Sequence, residues 1–418
     1  MAREYKDSGI EWIGQIPKEW KLATLKQIGT YINGYAFKPE DWTDSGKPII
    51  RIQDLTGSMG SPNFYNGELD SKYLVSKGDI LVSWAATLDA FIWEKEEGWL
   101  NQHIFKALPS CDVNYKFFYW LIKLAMENMN NDNKHGIVMQ HVTTKVFGNF
   151  AVSIPSVNEQ QKIADYLDKV CGEVDEMVTL QETMIEELKA YKQSVITEAV
   201  TKGLNSNAPM RDSGIDWIGE IPEHWEVRRI GRLFRLRDEK NYKPMEEVQL
   251  LSLYTGIGVF PHGEQEERGN KAVTVEGYKV VHKDDIVVNI ILAWMGAIGV
   301  SDYDGVTSPA YDVYIPDFTK VVPHYFHYVF RTKGIAAECY KYGRGIMMMR
   351  WRTYSSEFKQ ISVPYPSIEE QHKIASYLDT KCSEIDSLIA LKQAKIEELK
   401  EYKKSVIYEY VTGKKEVI

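Results

Sequence analysis

Asp7-Ser8-Gly9-Ile10-Glu11-Trp12-Ile13-Gly14-Gln15-Ile16-Pro17-Lys18-Glu19-Trp20 returns as Asp212-Ser213-Gly214-Ile215-Asp216-Trp217-Ile218-Gly219-Glu220-Ile221-Pro222-Glu223-His224-Trp225, with 10 of 14 positions identical. A repeat of this kind decides architecture first, because each copy specifies one structural unit. Two more segments recur. Glu159–Asp168 is matched by Glu370–Asp379, and Ile185–Ile196 by Ile396–Ile407 with 10 of 12 identical. The offset is 205 residues for the first match and 211 for the other two, and the sequence between them scarcely matches. Drift after a simple duplication would erode frame and interior alike. A retained frame around two diverged interiors means that the two parts answer to different constraints.

The frame segments read as helices. From Ile163 an apolar series runs Leu167, Val170, Val174, Met177, then Met184, Leu188, Tyr191 and Val195, with Gln181 the polar intruder. Alternating steps of three and four are those of a coiled-coil seam. Ser156, three residues before Glu159, suits a capping box, and Gly203 closes the helix. The second copy runs Ile374, Leu378, Ile385, Leu388, Leu399, Tyr402 and Val406, but puts Lys381, Lys392 and Lys395 in seam positions. Its centre is therefore weaker or faces an acidic surface such as the first helix. Two such helices in one chain most simply pair antiparallel, holding the interiors about a pseudo-twofold axis.

The interiors, residues 21–150 and 226–357, mix strand-like and helical patterns. Lys47–Ile52, Asp79–Ser83, Asp285–Asn289 and Val313–Ile315 read as strands, Tyr115–Asn128 and His324–Arg331 as amphipathic helices. Thr56–Gly60 and Gly256–Gly263 read as loops. The expected class is α+β: α/β domains over 1–153 and 205–365, and long helices within 154–204 and 366–418.

Composition is that of a folded chain, with 44% hydrophobic and 26% charged residues. No signal peptide and no run of the roughly 18 apolar residues a membrane span needs is visible, so a cytoplasmic protein is expected. Cys111, Cys171, Cys339 and Cys382 form no CxxC pair and lie near no His at zinc spacing, so reduced, mostly buried thiols and no metal are expected. The net charge of −9 is unevenly spread. Residues 158–200 carry 10 acidic and 4 basic side chains, whereas 226–357 carry 17 and 18. Near-neutral interiors permit a local basic face, which is what a phosphate backbone requires.

The WIGxIPxxW box, the Glu-Gln-x-x-Ile-Ala-x-Tyr-Leu-Asp helix start, the Glu-Glu-Leu-Lys helix end and Gly78–Ser83 with its counterpart Asp284–Asn289 together resemble specificity subunits of type I restriction-modification systems. The resemblance covers essentially the whole chain. It implies that each interior is a target recognition domain reading half of a bipartite, asymmetric site in double-stranded DNA. It also implies that the helices space them and dock two methyltransferase subunits, with restriction subunits completing the nuclease. S-adenosylmethionine, ATP and Mg²⁺ would sit on those partners and none on this chain. One departure is visible: Ile154-Pro155-Ser156-Val157 in the first copy stands against Val363-Pro364-Tyr365-Pro366-Ser367 in the second.

A catalytic reading has two footholds. Tyr254-Thr255-Gly256-Ile257-Gly258 resembles the S-adenosylmethionine loop of DNA methyltransferases, and Ser308-Pro309-Ala310-Tyr311 resembles their adenine-gripping motif. The second lacks its middle proline, and neither has a counterpart in the first half, so a plain turn is the better account. Glu187-Leu188-Lys189 and Glu398-Leu399-Lys400 lie within the coiled-coil helices, where a solvated face explains them. The chain is therefore expected to be non-catalytic, a self-sufficient adenine methyltransferase being the alternative.

Reading DNA needs donors and cations on a defined surface. The candidates are Lys134, His135, Gln140, His141, Thr143 and Lys145 in the first interior, and Arg344, Arg350, Trp351 and Arg352 in the second. Both stretches lie at the same distance before a frame helix. Further candidates are Trp84, Gln102 and His103, then Asn289, Trp294 and Tyr311. Arg228, Arg229 and Arg232, with Arg235 and Arg237, are phosphate-contact candidates, or else one exposed helix face.

Overall fold

The residues retained between the two copies meet at the first turn of each long helix. In the computed structural model, which describes residues 3–58, 61–85, 87–132, 144–255, 257–263, 274–345 and 351–417, these helices span Val157–Lys202 and Ile368–Val411. Glu159 accepts the indole N–H of Trp20 at 3.0 Å and the Arg3 guanidinium at 2.6 Å. Glu370 accepts the indole N–H of Trp225 at 3.0 Å and approaches the His224 ring at 2.8 Å. Ser367 closes a capping box with Glu370 in both directions, whereas Ser156 only receives the Glu159 N–H, at 3.4 Å.

The neighbouring glutamines do a second job. Gln160 accepts the backbone N–H of Asn114 at 2.7 Å and donates to the carbonyl of Pro155 at 3.0 Å. Gln371 accepts the N–H of Val322 at 2.8 Å and donates to the carbonyls of Pro366 and Lys320 at 3.1 Å. Asn114 and Val322 immediately precede the helices Tyr115–Asp132 and Pro323–Val329 of the interiors. Each Glu-Gln pair thus joins the box on one side to the interior on the other.

The chain divides into two compact units, Met1–Gln181 with Ala394–Ile418, and Glu182–Gln393. Each contains the start of one long helix and the end of the other. In the first, Ile163, Leu167 and Cys171 share a core with Val406, Ile407 and Val411, and with Trp20, Phe117 and Phe118. In the second, Ile374, Leu378 and Cys382 share one with Val195, Ile196 and Val200, and with Trp225 and Phe326. Within each unit the helices run antiparallel. Tyr166 faces Tyr410 and Asp175 pairs with Lys403 at 2.6 Å in the first; Met184 faces Lys392 and Lys192 pairs with Asp386 at 2.6 Å in the second.

The seam differs from the sequence expectation in places. Ile163, Leu167, Val174, Val195, Ile374, Leu378, Ile385, Leu399 and Val406 are buried. Leu188 is only half-buried, and Tyr191 and Tyr402 are 56% and 51% exposed. Ile185, Ile196, Ile396 and Ile407 are buried instead. A straight helix of 3.6 residues per turn drifts against a 3.5-residue pattern, so the buried stripe moves off the tyrosines. Lys381 and Lys395 pair with Glu384 and Glu398 on their own helix.

Despite unrelated sequences, both interiors contain the same four-stranded antiparallel sheet. Its order is Gly29–Asn33, Ile104–Pro109, Ile80–Ser83, Asp89–Ile92 in the first unit. In the second it is Phe234–Leu236, Tyr311–Pro316, Ile286–Asn289, Ile298–Val300. The central strands Ile80–Ser83 and Ile286–Asn289 are apolar without alternation because both faces are covered. Ile80 and Val82, like Ile286 and Val288, face the main core, while Leu81 and Val287 face a smaller cluster. Two local readings are corrected. The strand from Lys47 ends at Ile50, with a short helix Ile52–Thr56 after it. Gly258–Pro261, expected as loop, pairs as a strand with Leu251–Tyr254.

Two substitutions test the first-turn junction. Gln371→Ala leaves the N–H of Val322 and two carbonyls without partners, and should lower the stability of the second unit by about 1–3 kcal/mol in denaturant unfolding. Glu370→Gln probes the carboxylate. Burial opposes its ionisation, but the N–H of Trp225, the His224 ring and Ser367 outweigh that and hold its pKa at about 2. A depressed folded-state pKa stabilises above the unfolded value and is lost as pH falls through the folded one. The deficit of Glu370→Gln, about 1–2 kcal/mol at neutral pH, should therefore shrink as pH drops from about 4.3 toward 2.

Candidate nucleic-acid interface

The paired central strands bring separated residues together at one end of each sheet. In the first unit Ile104 pairs with Ser83, so Trp84 and His103 are neighbours just beyond the last rung. Their rings lie 5.6 Å apart, Trp84 stacks on Phe105 at 5.8 Å, and Gln102 Nε2 is 3.4 Å from His103 Nε2. The Gln102 N–H donates to the carbonyl of Tyr35, which begins a half-buried aromatic row with Phe37, Tyr65 and Tyr73. Trp84, Gln102 and His103 therefore form one cluster, in which Gln102 and His103 turn polar edges toward solvent while the Trp84 indole nitrogen is buried. Lys145 is exposed on the helix Thr144–Asn149. Lys134, His135, Gln140, His141, Thr143 and Arg350 lie outside the described residues.

In the second unit the corresponding candidates are engaged internally. Asn289 is buried, and its Oδ1 accepts the N–H of Ile291 at 3.0 Å and of Leu292 at 3.3 Å, capping the turn at the strand end. Tyr311 bonds to Asn289, the Trp294 indole donates to the carbonyl of Ile291 at 3.0 Å, and the Trp351 indole to that of Tyr340 at 3.1 Å. Trp351 stacks on Tyr340 at 5.0 Å, and Tyr340 lies 6.0 Å from Trp294. These residues build the apex and hold its shape. Arg344 and Arg352 exchange backbone hydrogen bonds beside it. Arg344 pairs with Glu357 at 2.9 Å, whereas Arg352 is exposed with no carboxylate partner among the described residues.

The arginine cluster separates. It is not one helix face: Glu226–Arg229 and Phe234–Leu236 are strands joined by a single 3-10 turn. Arg228 bonds to Glu226 at 2.8 Å and lies 3.8 Å over the Tyr365 ring, and Arg237 grips buried Asp285 with two nitrogens at 2.8 and 2.9 Å. Arg229, Arg232 and Arg235 remain exposed.

A basic cleft of about 390 Å³ that the sequence does not single out opens beside the apex. Lys189, Lys192, Arg331 and Lys333 line it with Met295, Gly296 and Asp386. Burial, together with Arg331, His324 and Lys192, pushes the neighbouring His327 imidazole down to about 3. A Lys-x-x-Lys step on a helix reads as solvated, so only the fold reveals that Lys189 and Lys192 face Lys333.

The described residues that resembled a methyltransferase belong to a strand hairpin and a strand-leading turn. Tyr254 and Gly258 are paired across a hairpin, and Ser308 caps a turn through the N–H of Ala310 and Tyr311. Lys189 and Lys400 bond to Glu186 and Glu397 on solvated helix faces. No group of three or more metal-ligating side chains occurs among the described residues, and no helix of theirs is long and apolar enough to cross a membrane.

Comparison with known proteins agrees in both halves. The family described as type I restriction modification DNA specificity domain matches residues 17–190 and again 222–401. The chain is 24% identical to the type I restriction enzyme EcoBI specificity subunit of Escherichia coli, covering 93% of this chain and 84% of that protein. It is 22% identical to the MjaVIII specificity subunit of Methanocaldococcus jannaschii, over 96% and 94%. A solved structure from work on assembly and conformational transition of the type I R-M system superposes with a TM-score of 0.69 at 14% identity, covering 95% and 98% of the two chains.

The geometry separates apex-building residues from exposed cations. Asn289→Ala should cost about 1–3 kcal/mol in unfolding experiments, since two turn N–H groups lose their acceptor. Arg352→Ala should leave stability within about 0.5 kcal/mol. It should weaken duplex binding, and the slope of log affinity against log salt should fall by about 1.

Proposed function

Because this chain belongs to the type I restriction-modification DNA specificity family, we propose that it reads a bipartite, asymmetric site in double-stranded DNA, one half per interior, and contributes no catalytic step. The recognition domains occupy 1–153 and 205–365, and the spacer helices lie within 154–204 and 366–418. The observation that carries this reading is the repetition of one sheet in two interiors whose strand-end chemistry has diverged. Gln102 and His103 offer polar edges in the first; in the second, Asn289 and Trp294 are locked into an apex flanked by Arg344, Arg352 and the basic cleft.

Equivalent poses on two half-sites suit a DNA duplex, whose backbone is locally near-twofold. The retained helices suit two methyltransferase subunits, and exposed Tyr191 and Tyr402, identical in the two copies, are partner-facing residues on this reading. Restriction subunits complete the complex. S-adenosylmethionine, ATP and Mg²⁺ are bound by those partners, and the assembly works in the cytoplasm where the DNA is.

Exchanging residues 226–357 for another family member's interior should change one half of the methylated site and leave the other intact, as read from modified positions in genomic DNA. Changes in both halves would contradict the modular reading. The purified chain with S-adenosylmethionine and DNA should transfer no methyl groups until methyltransferase subunits are added; transfer by the chain alone would make it a self-sufficient adenine methyltransferase.

A further inference from the structure

In the second unit the turn that follows Ile286–Asn289 shows its solvent face as hydrocarbon and sulfur. Leu292 is 36% exposed and Met295 53% exposed. Between them Ala293 and Trp294 pack inward, and Gly296 in the left-handed region (φ 85°) closes the turn. The groups that could donate or accept nearby, Asn289 Oδ1 and the Trp294 and Trp351 indoles, are held by internal partners. Met295 is more than half exposed and Leu292 about a third, so both offer apolar surface to a ligand.

Charge surrounds this pair on both sides. Met295 forms part of the wall of the cleft with Lys189, Lys192, Arg331 and Lys333. Across the Trp294–Tyr340–Trp351 aromatic chain stand Arg344 and Arg352. An aliphatic tip ringed by cations complements the DNA major groove. Phosphates border that groove, and the thymine 5-methyl is the apolar feature on its floor. A protein partner matched to an apolar patch would not require flanking cations, and the cleft's one carboxylate, Asp386, is already paired with Lys192.

Building on the reading of this chain as a sequence-reading subunit, we propose that Leu292 and Met295 read thymine 5-methyl groups in the half-site engaged by the second unit. Exposed Lys333 on the cleft side and exposed Arg352 on the other, neither paired with a carboxylate among the described residues, hold the phosphates on either side. Specificity there comes from apolar contact, while the Gln102–His103 cluster of the first unit reads by hydrogen bonds.

The test uses the complex of the full chain with its methyltransferase subunits, on duplexes carrying the site defined by genomic methylation. Each thymine is replaced in turn by deoxyuridine, which lacks only the 5-methyl. Loss of one buried methyl contact should weaken binding by about fourfold at one or more thymines of the second half-site. Met295→Ala with Leu292→Ala should fold and assemble normally, bind the thymine site more weakly, and be indifferent to deoxyuridine at that position. Deoxyuridine in the first half-site should act alike on both proteins. The proposal is overturned if the variant keeps the full deoxyuridine penalty, or if no second-half thymine shows one. It is also overturned if the variant loses methyltransferase subunits while the penalty persists, which would make the tip a protein contact. A wild-type complex without sequence-selective binding would sink the underlying assignment as well, a result distinct from these.

Discussion

Everything else in each unit hangs on a Glu-Gln pair in the first turn of a long helix. The glutamate takes the indole N–H of a buried tryptophan, and the adjacent glutamine, 1% and 0% exposed in the two copies, takes a backbone N–H from the start of an interior helix. Neither partner is replaceable by an apolar side chain of similar size, because buried donors and acceptors left open cost more than the bonds add. The constraint is local and chemical, so it recurs unchanged wherever the same junction is built. That is why the box and the helix start are retained together while the sequence between them is free to change.

Freedom in the interiors is bounded by the sheet. Ile80–Ser83 and Ile286–Asn289 must stay apolar on both faces, since each faces one cluster above and another below. What lies past the strand ends carries no such demand. There the two units have taken opposite solutions, with a solvated polar cluster in one and a self-satisfied, aliphatic apex between cations in the other. On the proposed reading, opposite chemistry on equivalent scaffolds lets one protein distinguish the two halves of an asymmetric ligand.

The repeat, the long helices and the central strands were legible because each has a period or an identity that sequence displays directly. The seam was legible only in part. Tyr191 and Tyr402 fit the heptad but stand in solvent, because helical drift decides which of two adjacent stripes is buried. Site residues were legible by type and not by role. Asn289 and Trp294 have the polar groups of base-reading residues, yet the turn that contains them uses the Asn289 Oδ1 as acceptor and the Trp294 indole N–H as donor. Lys189 and Lys333 become neighbours only through folding, and nothing in the spacing of 144 positions announces it. Arg228 and Arg237 looked alike in a basic run, but a ring of Tyr365 and a buried Asp285 had already claimed them.

The division of the long helices between units has a consequence for synthesis. The first unit's core includes Val406, Ile407 and Val411, and its Pro17 and Trp20 pack against Gly413, whereas the second unit is closed by Gln393. A ribosome delivering residues in order at about 5–20 per second releases all of the second unit before those closing residues. The half that is translated first is therefore the half that finishes folding last. Until residue 411 emerges, the apolar stripe of Ile163, Leu167 and Cys171 has no partner helix, and that interval is when the nascent chain is most open to chaperones and to association with another copy.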